Sequence, residues 1–562
     1  MSLFVNADPG VWNKKSFFNK GYEVDSDINF GVLNIIGSRF VVPGDIWKLQ
    51  NRVLLRFNPQ YAPFFTPISA KIRYWFVPLR LLEDNTELII TGSKNGKLYQ
   101  SGDLTKLPKF DGLWKYENSS TTGHHQCKKY SIVEQMFGMP VGVDMSSYPN
   151  ERMTPALYWI KAYYRIWFDY YRDENLMAYD DFDDWWSDIL SKGAIGQEDL
   201  LPVNWKKDYL TSSLVSQQKG VAPVLNPFVN NPQLSLPVST ISHSVFSENT
   251  KPGDVFTGFD LSDGYLMNKV NSPYTYAGST LGASGADVPW SSSSSSQPFD
   301  LLGINTDSLK SVQGGFSAPE LRILFAQQKV FERLMRCGSR YTEFLMSNFG
   351  CSPADGTLQR AQYLGGYTQP IVTSEVLQTG TDSSYPVGTQ RGHSISAGVG
   401  SGGTHLFKEF GVLIATLSVM PKAQYTQGID REYCLKERFD FPNPSYQFLS
   451  EDEVMNGEVY YDADGENDNT FGFQEMYAWL KSSRDKIIGD LRGNQAYYTM
   501  ARFFNSRPNL NETFIQAVGD TANFARPFSV LNEPPIIMRN ANIWKPWRNF
   551  ARSGTPSLID HF

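Results

Sequence analysis

The sequence predicts a mainly β protein whose antiparallel strands are separated by long loops. Aromatic residues make up 14% of the chain, with 37 Phe and 29 Tyr, types that suit half-buried pleated surfaces. The 45 Gly and 32 Pro supply punctuation for many turns. In PISAKIRYWFVP (67–78), Ile68, Ala70, Ile72, Tyr74 and Phe76 alternate with Ser69, Lys71, Arg73 and Trp75, so one face should meet a core and the other a wetter surface.

Residues 1–27 mix Trp12, Lys14, Lys15, Phe17, Phe18 and Lys20 without a period, and are expected to form an extended arm that finds its partner on another surface. VVPGDIWKLQNRVLLRFNPQ (41–60) reads as a Pro-Gly-Asp turn followed by a strand. Residues 92–150 are rich in glycine and polar residues and read as loop. A helix is then expected, with Thr154 as N-cap, Pro155 at its first position, and Leu157, Ile160, Tyr164, Trp167 and Tyr171 on one face. Asp180 to Asp184 read as an acidic loop, and 206–224 as loop and turn. Residues 225–318 hold no long periodic element and contain six consecutive serines from Ser291. Such a length is expected to form a surface insertion.

From Leu321 the pattern becomes helical. Ile323, Val330 and Leu334 share a face with Leu324, Phe331 and Met335, which predicts a core helix packed on a sheet and interrupted at Gly338. Strands resume at Pro370 to Gln378 and at Phe407 to Met420, the second apolar enough for burial on both faces. The segment 535–562 is basic and aromatic, and no solenoid or propeller repeat is present. The whole is expected to be one domain carrying insertions.

Formal net charge is −7, which leaves no overall basic field. Contact with nucleic acid would therefore need a local patch or a basic partner. Cys127, Cys337, Cys351 and Cys434 are scattered, which argues against a disulfide framework. The N-terminus lacks the apolar core of a secretory leader, and 411–420 is too short to span a bilayer, so a soluble protein made in a cytoplasm is expected.

Chemistry-bearing motifs are few. Gly398, Gly400 and Gly403 satisfy G-x-G-x-x-G, but a strand rather than a helix follows, which removes the phosphate-binding context. His124, His125 and Cys127 lack the second ligand pair of a zinc site, and DADGEND (462–468) lacks EF-hand spacing. No metal, cofactor or catalytic residue is assigned, and no enzyme is expected. At the two ends, Lys14 and Lys15, and Arg539, Trp544, Lys545, Trp547 and Arg548, pair cations with aromatic rings. Single-stranded nucleic acid is held by this combination, cations on phosphates and rings on bases; the bland alternative is tryptophans in a core or subunit contact.

A series of segments in order along the chain bears a family resemblance. It includes VPGDIWKL (42–49), YWFVPLRLLEDN (74–85), IWFDYYRDENL (166–176), KKDYLTSSLVSQQKG (206–220), ELRILFAQQKVFERLMRCGSRYTEFLMSNFG (320–350), AQYLGG (361–366), AQYTQGIDREY (423–433), FGFQEMYAWL (471–480) and LIDHF (558–562). These resemble the major capsid proteins of the Microviridae, most closely the gokushovirus branch. The resemblance implies a jelly-roll β-barrel that self-assembles through pentamers into a T=1 icosahedral shell around circular single-stranded DNA. Implied partners are the DNA genome, a small basic DNA-packaging protein, a minor or pilot protein, a scaffolding protein, and a host surface receptor met by a protrusion at 225–318. The expected location is the virion, assembled in the bacterial cytoplasm. A jelly-roll carbohydrate-binding protein or carbohydrate-active enzyme, secreted, is the alternative that aromatic-rich loops would also suit.

Overall fold

The computed structural model describes residues 15–91, 93–94, 97–98, 109–113, 127–142, 154–177, 179, 181–191, 200–219, 238–243, 254–256, 269–273, 299–304, 318–337, 346, 354–377, 379–380, 387–388, 390–530 and 533–550. Two compact units are distinguished, one made of 1–219 with 334–562 and the other of 220–333. Within the smaller unit, Val238–His243 pairs with Phe299–Ile304 and Asp254–Phe256 with Lys269–Pro273, both antiparallel.

The larger unit is built on two antiparallel sheets. The strands of these two sheets are β1 (Ser16–Phe17), β2 (Tyr22–Ile28), β3 (Asn34–Val41), β4 (Ile46–Phe57), β5 (Ile68–Pro78), β6 (Gln362–Pro370), β7 (Val372–Leu377), β8 (Gln390–Leu406), β9 (Gly411–Pro421), β10 (Ile536–Asn542) and β11 (Lys545–Arg548). The four-stranded sheet runs β6-β5-β9-β3. In the seven-stranded sheet β4 is central, with β8 and then β7 on one side. On its other side lie β10 and β11, backed by β2 and β1 respectively. This antiparallel, loop-rich β architecture is consistent with the jelly-roll capsid fold.

The turn VPGD that launches β4 forms as predicted. Gly44 takes φ +87°, which a Pro-Gly turn needs, and Asp45 N–H donates to the Val42 carbonyl at 3.0 Å. Strand β4 then alternates strictly between the two faces. Strand β5 alternates only at first, because Trp75 and Val77 are buried as well. The cause is helix α1 (Tyr158–Tyr170), whose end sets Tyr170 and Tyr171 against the Trp75 ring. Strand β9 is buried throughout, in keeping with its continuous apolar run.

The glycine-rich stretch lies inside β8. A Cβ on Gly400 would collide with the Tyr367 ring and one on Gly402 with the Tyr74 ring, so bare backbone lets the facing sheet approach closely.

Several elements differ from expectation. Helix α1 starts at Tyr158, and Leu157 rather than Thr154 occupies the cap position. The acidic segment opens helix α2 (Phe182–Ser191), with Asp181 Oδ1 accepting from Asp184 N–H at 2.8 Å while Trp185 and Trp186 turn inward. The chain from Ser16 to Ile28 is not an arm seeking another surface, because β1 and β2 complete their own sheet.

Helix α3 (Ala318–Cys337) is present, but Ile323, Phe325 and Val330 are exposed and Phe331 is only half-buried. It is therefore not the core helix its periodicity predicts. Phe331→Ala should cost less than the roughly 3–5 kcal/mol of a core phenylalanine. No helix among the described residues is long and apolar enough to cross a membrane.

Candidate nucleic-acid interface and the buried hub behind it

The C-terminal strands decide which of the predicted contact residues face outward. Because β11 pairs with β4 in register, Lys545 stands beside Lys48, Pro546 beside Trp47 and Trp547 beside Ile46. Side chains alternate between faces, so Lys545 and Trp547 share the outer face with Lys48, while Pro546 and Trp47 point inward.

Trp544 is 0% exposed and lies in the barrel interior. Its indole N–H donates to Asn51 Oδ1 at 2.9 Å, and the Tyr74 hydroxyl donates to the same oxygen at 3.0 Å. The Asn51 amide donates in turn to Asn540 Oδ1 (3.0 Å) and Asn542 Oδ1 (2.7 Å), whose own amides reach the Ile36 carbonyl. Burial pushes the Tyr74 and Tyr367 hydroxyls up, the latter to about 12, so both stay protonated at neutral pH. One asparagine thus joins β10 and the segment entering β11 to β4 and across the core to β5. No base can stack on Trp544 in this fold, and its truncation would damage the barrel rather than DNA contact alone.

The remaining candidates divide as follows. Arg548 is half-buried, pairs with Asp45 at 3.0 Å, donates to the Phe40 carbonyl and lies over the Trp47 ring. Asp45 also accepts from Val42 N–H and Trp47 Nε1, so Arg548 serves to clamp the VPGD turn. Lys15 Nζ donates to the Gly44 carbonyl of that turn at 2.8 Å and is exposed; Lys14 lies outside the described residues. Arg539 is exposed but is engaged by Glu23 and by Asp25 on neighbouring β2. Trp547 packs its ring 5.6 Å from Phe17, an aromatic pair that reaches the surface. His124 and His125 lie outside the described residues, and Cys127 is a buried thiol near Ser131 Oγ. In DADGEND, Arg507 grips Asp464 and Glu466 and draws the Asp464 carboxyl below its ordinary range, so this turn is an ion-paired one.

Sequence reasoning passed over a basic stripe. Lys48, Arg52 and Arg56 fall at every second outward position of β4, all exposed. They are about 13 Å apart at strand rise. Among the described residues none of the three makes an ion pair. The signal was present in IWKLQNRVLLRF, where cations spaced by four share a face once the segment is a strand. Together with Lys545, Trp547 and Phe17 they give one outer face of the larger sheet both cations and aromatic rings. A chain of phosphates with unstacked bases is the ligand such a surface can hold.

Comparison with known proteins agrees with this architecture. The chain is 27% identical to the capsid protein VP1 of Chlamydia phage 1, over 94% of its own length and 93% of the relative's. It is 26% identical to the capsid protein VP1 of Bdellovibrio phage phiMH2K, covering 91% of this chain and 89% of that one. The capsid protein VP1 of Spiroplasma virus 4 is also 26% identical, over 63% of this chain and 65% of the relative. Residues 9–541 match the family described as Capsid protein (F protein), so this chain is a structural component of a phage virion and belongs to that capsid family.

Proposed function

We propose that this capsid protein closes through pentamers into a T=1 icosahedral shell around circular single-stranded DNA, with the outer face of the larger sheet turned toward the genome. The observation that carries the reading is the Lys48, Arg52 and Arg56 stripe beside Lys545 and the Trp547–Phe17 pair. The whole protein carries net charge −7, so a concentrated cationic row on one strand is not a by-product of composition. Three cations cannot neutralise a genome. A small basic packaging protein supplies the rest, and a pilot protein and a scaffolding protein assist assembly in the host cytoplasm. The insertion at 225–318 forms the surface protrusion that meets the host receptor. The protein acts by binding and assembly and is not an enzyme.

The test is the salt dependence of single-stranded DNA binding by unassembled subunits. Each phosphate contact contributes about 0.7 to the slope of log K against log salt on single strands. Replacing Lys48, Arg52 and Arg56 with Gln should therefore lower the slope by about 2 and leave shell formation intact. An unchanged slope would place the genome against another surface.

A further inference from the structure

One stretch of the larger unit is folded yet buries almost nothing. Every residue from 436 to 449 (KERFDFPNPSYQFL) is exposed. Phe439 is 75% exposed and Phe448 88%, and Tyr433, Phe441 and Leu449 are also more than half exposed. Five large apolar side chains exposed within one short stretch point to an interaction site.

The stretch is nevertheless held in shape. Asp440 Oδ2 accepts the backbone N–H groups of Lys436 and Glu437, both at 2.8 Å. Asn443 Oδ1 accepts from Ser445 N–H at 3.0 Å and caps the short turn Pro444–Tyr446. Asn443 N–H donates to the Tyr477 hydroxyl at 3.2 Å, which anchors the stretch to the rest of its own chain. Pro442 and Pro444 fix φ on either side of that anchor. Local hydrogen bonds thus set the backbone while the aromatic side chains point to solvent, so little ordering entropy is left to lose on docking.

We infer that residues 433–449 form an assembly arm that docks on a second copy of this chain. The inference rests on the capsid reading above, which supplies a partner of fixed identity at every contact. The area is sufficient. Five large side chains with this exposure can bury about 700 Å², close to the roughly 800 Å² per partner of a stable specific interface.

Cys434, a free and exposed thiol at the base of the arm, is a native reporter, and buried Cys127 serves as an internal reference. The experiment compares maleimide labelling of Cys434, located by peptide mass mapping, in unassembled subunits and in purified shells. Labelling should be at least about tenfold slower in shells, as burial of the arm requires. Phe439→Ser with Phe448→Ser should keep the subunit's unfolding midpoint and abolish shell formation. Equal labelling of Cys434 in both states, or normal assembly of the double variant, would overturn the arm while leaving the capsid reading standing. If the double variant misfolds, the labelling comparison on the unaltered protein decides. Absence of shells from the unaltered protein would overturn both readings together.

Discussion

Asn51→Leu should remove much of the subunit's stability and sharply lower the yield of assembly-competent protein. The substitution keeps the number and branching of side-chain heavy atoms but removes the group that satisfies four buried partners: the Tyr74 hydroxyl, the Trp544 indole N–H and the side-chain oxygens of Asn540 and Asn542. Each buried polar group left unpaired costs about 1–3 kcal/mol, so the loss should be at least about 4 kcal/mol. A domain's total stability is on the order of 5–15 kcal/mol. Urea unfolding of dissociated subunits measures the effect. Arg52→Gln, one residue along but facing outward, is the control and should change stability by no more than about 0.5 kcal/mol. If Asn51→Leu unfolds at the wild-type midpoint, the hub does not hold the C-terminal strands in place.

The second large effect is expected at Asp520→Ala. Arg502 is 1% exposed, with its Nε 2.8 Å from Asp520 Oδ2 and Nη2 donating to the Phe514 carbonyl. Its guanidinium is enclosed by the rings of Phe514, Phe504 and Trp205. Asp520 also accepts from Trp205 Nε1 and from the Asn523 amide. Truncating it strands a buried cation, which costs about 3–5 kcal/mol. Replacing Arg502 and Asp520 together by Met and Leu should recover the part of that loss due to the stranded Arg502 cation, while the Trp205 and Asn523 N–H groups still lose their acceptor. A double-mutant cycle on unfolding free energy distinguishes this from a simple packing defect: near-additive losses would show that the pair is not coupled.

The strand scaffold was largely legible because period-two patterning reports burial directly. PISAKIRYWFVP became β5, the Pro-Gly turn became the entry to β4, and the apolar run near 411–420 became the wholly buried β9. Where local pattern and burial disagree, long-range partners decide. Trp75 is buried because α1 covers it, which depends on residues far along the chain. The apolar stripe of α3 is present in the sequence, yet periodicity states only that a face is apolar and not that the same chain covers it.

The candidate site was half legible. The C-terminal sequence groups cations and rings between Arg539 and Arg548. Strand alternation then sends Trp544 inward and Lys545 and Trp547 outward, and the register that settles this is not local. The N-terminal segment looked unpartnered for the same reason, since β2 pairs with β10 at the opposite end of the chain.

Particle formation by the purified, full-length protein tests the central claim most directly. Light scattering and negative-stain imaging at micromolar concentration should show closed isometric particles of a single size, in equilibrium with pentamers at low protein concentration. A species that remains monomeric under all assembly conditions, with or without single-stranded DNA and the basic packaging protein, would contradict the account.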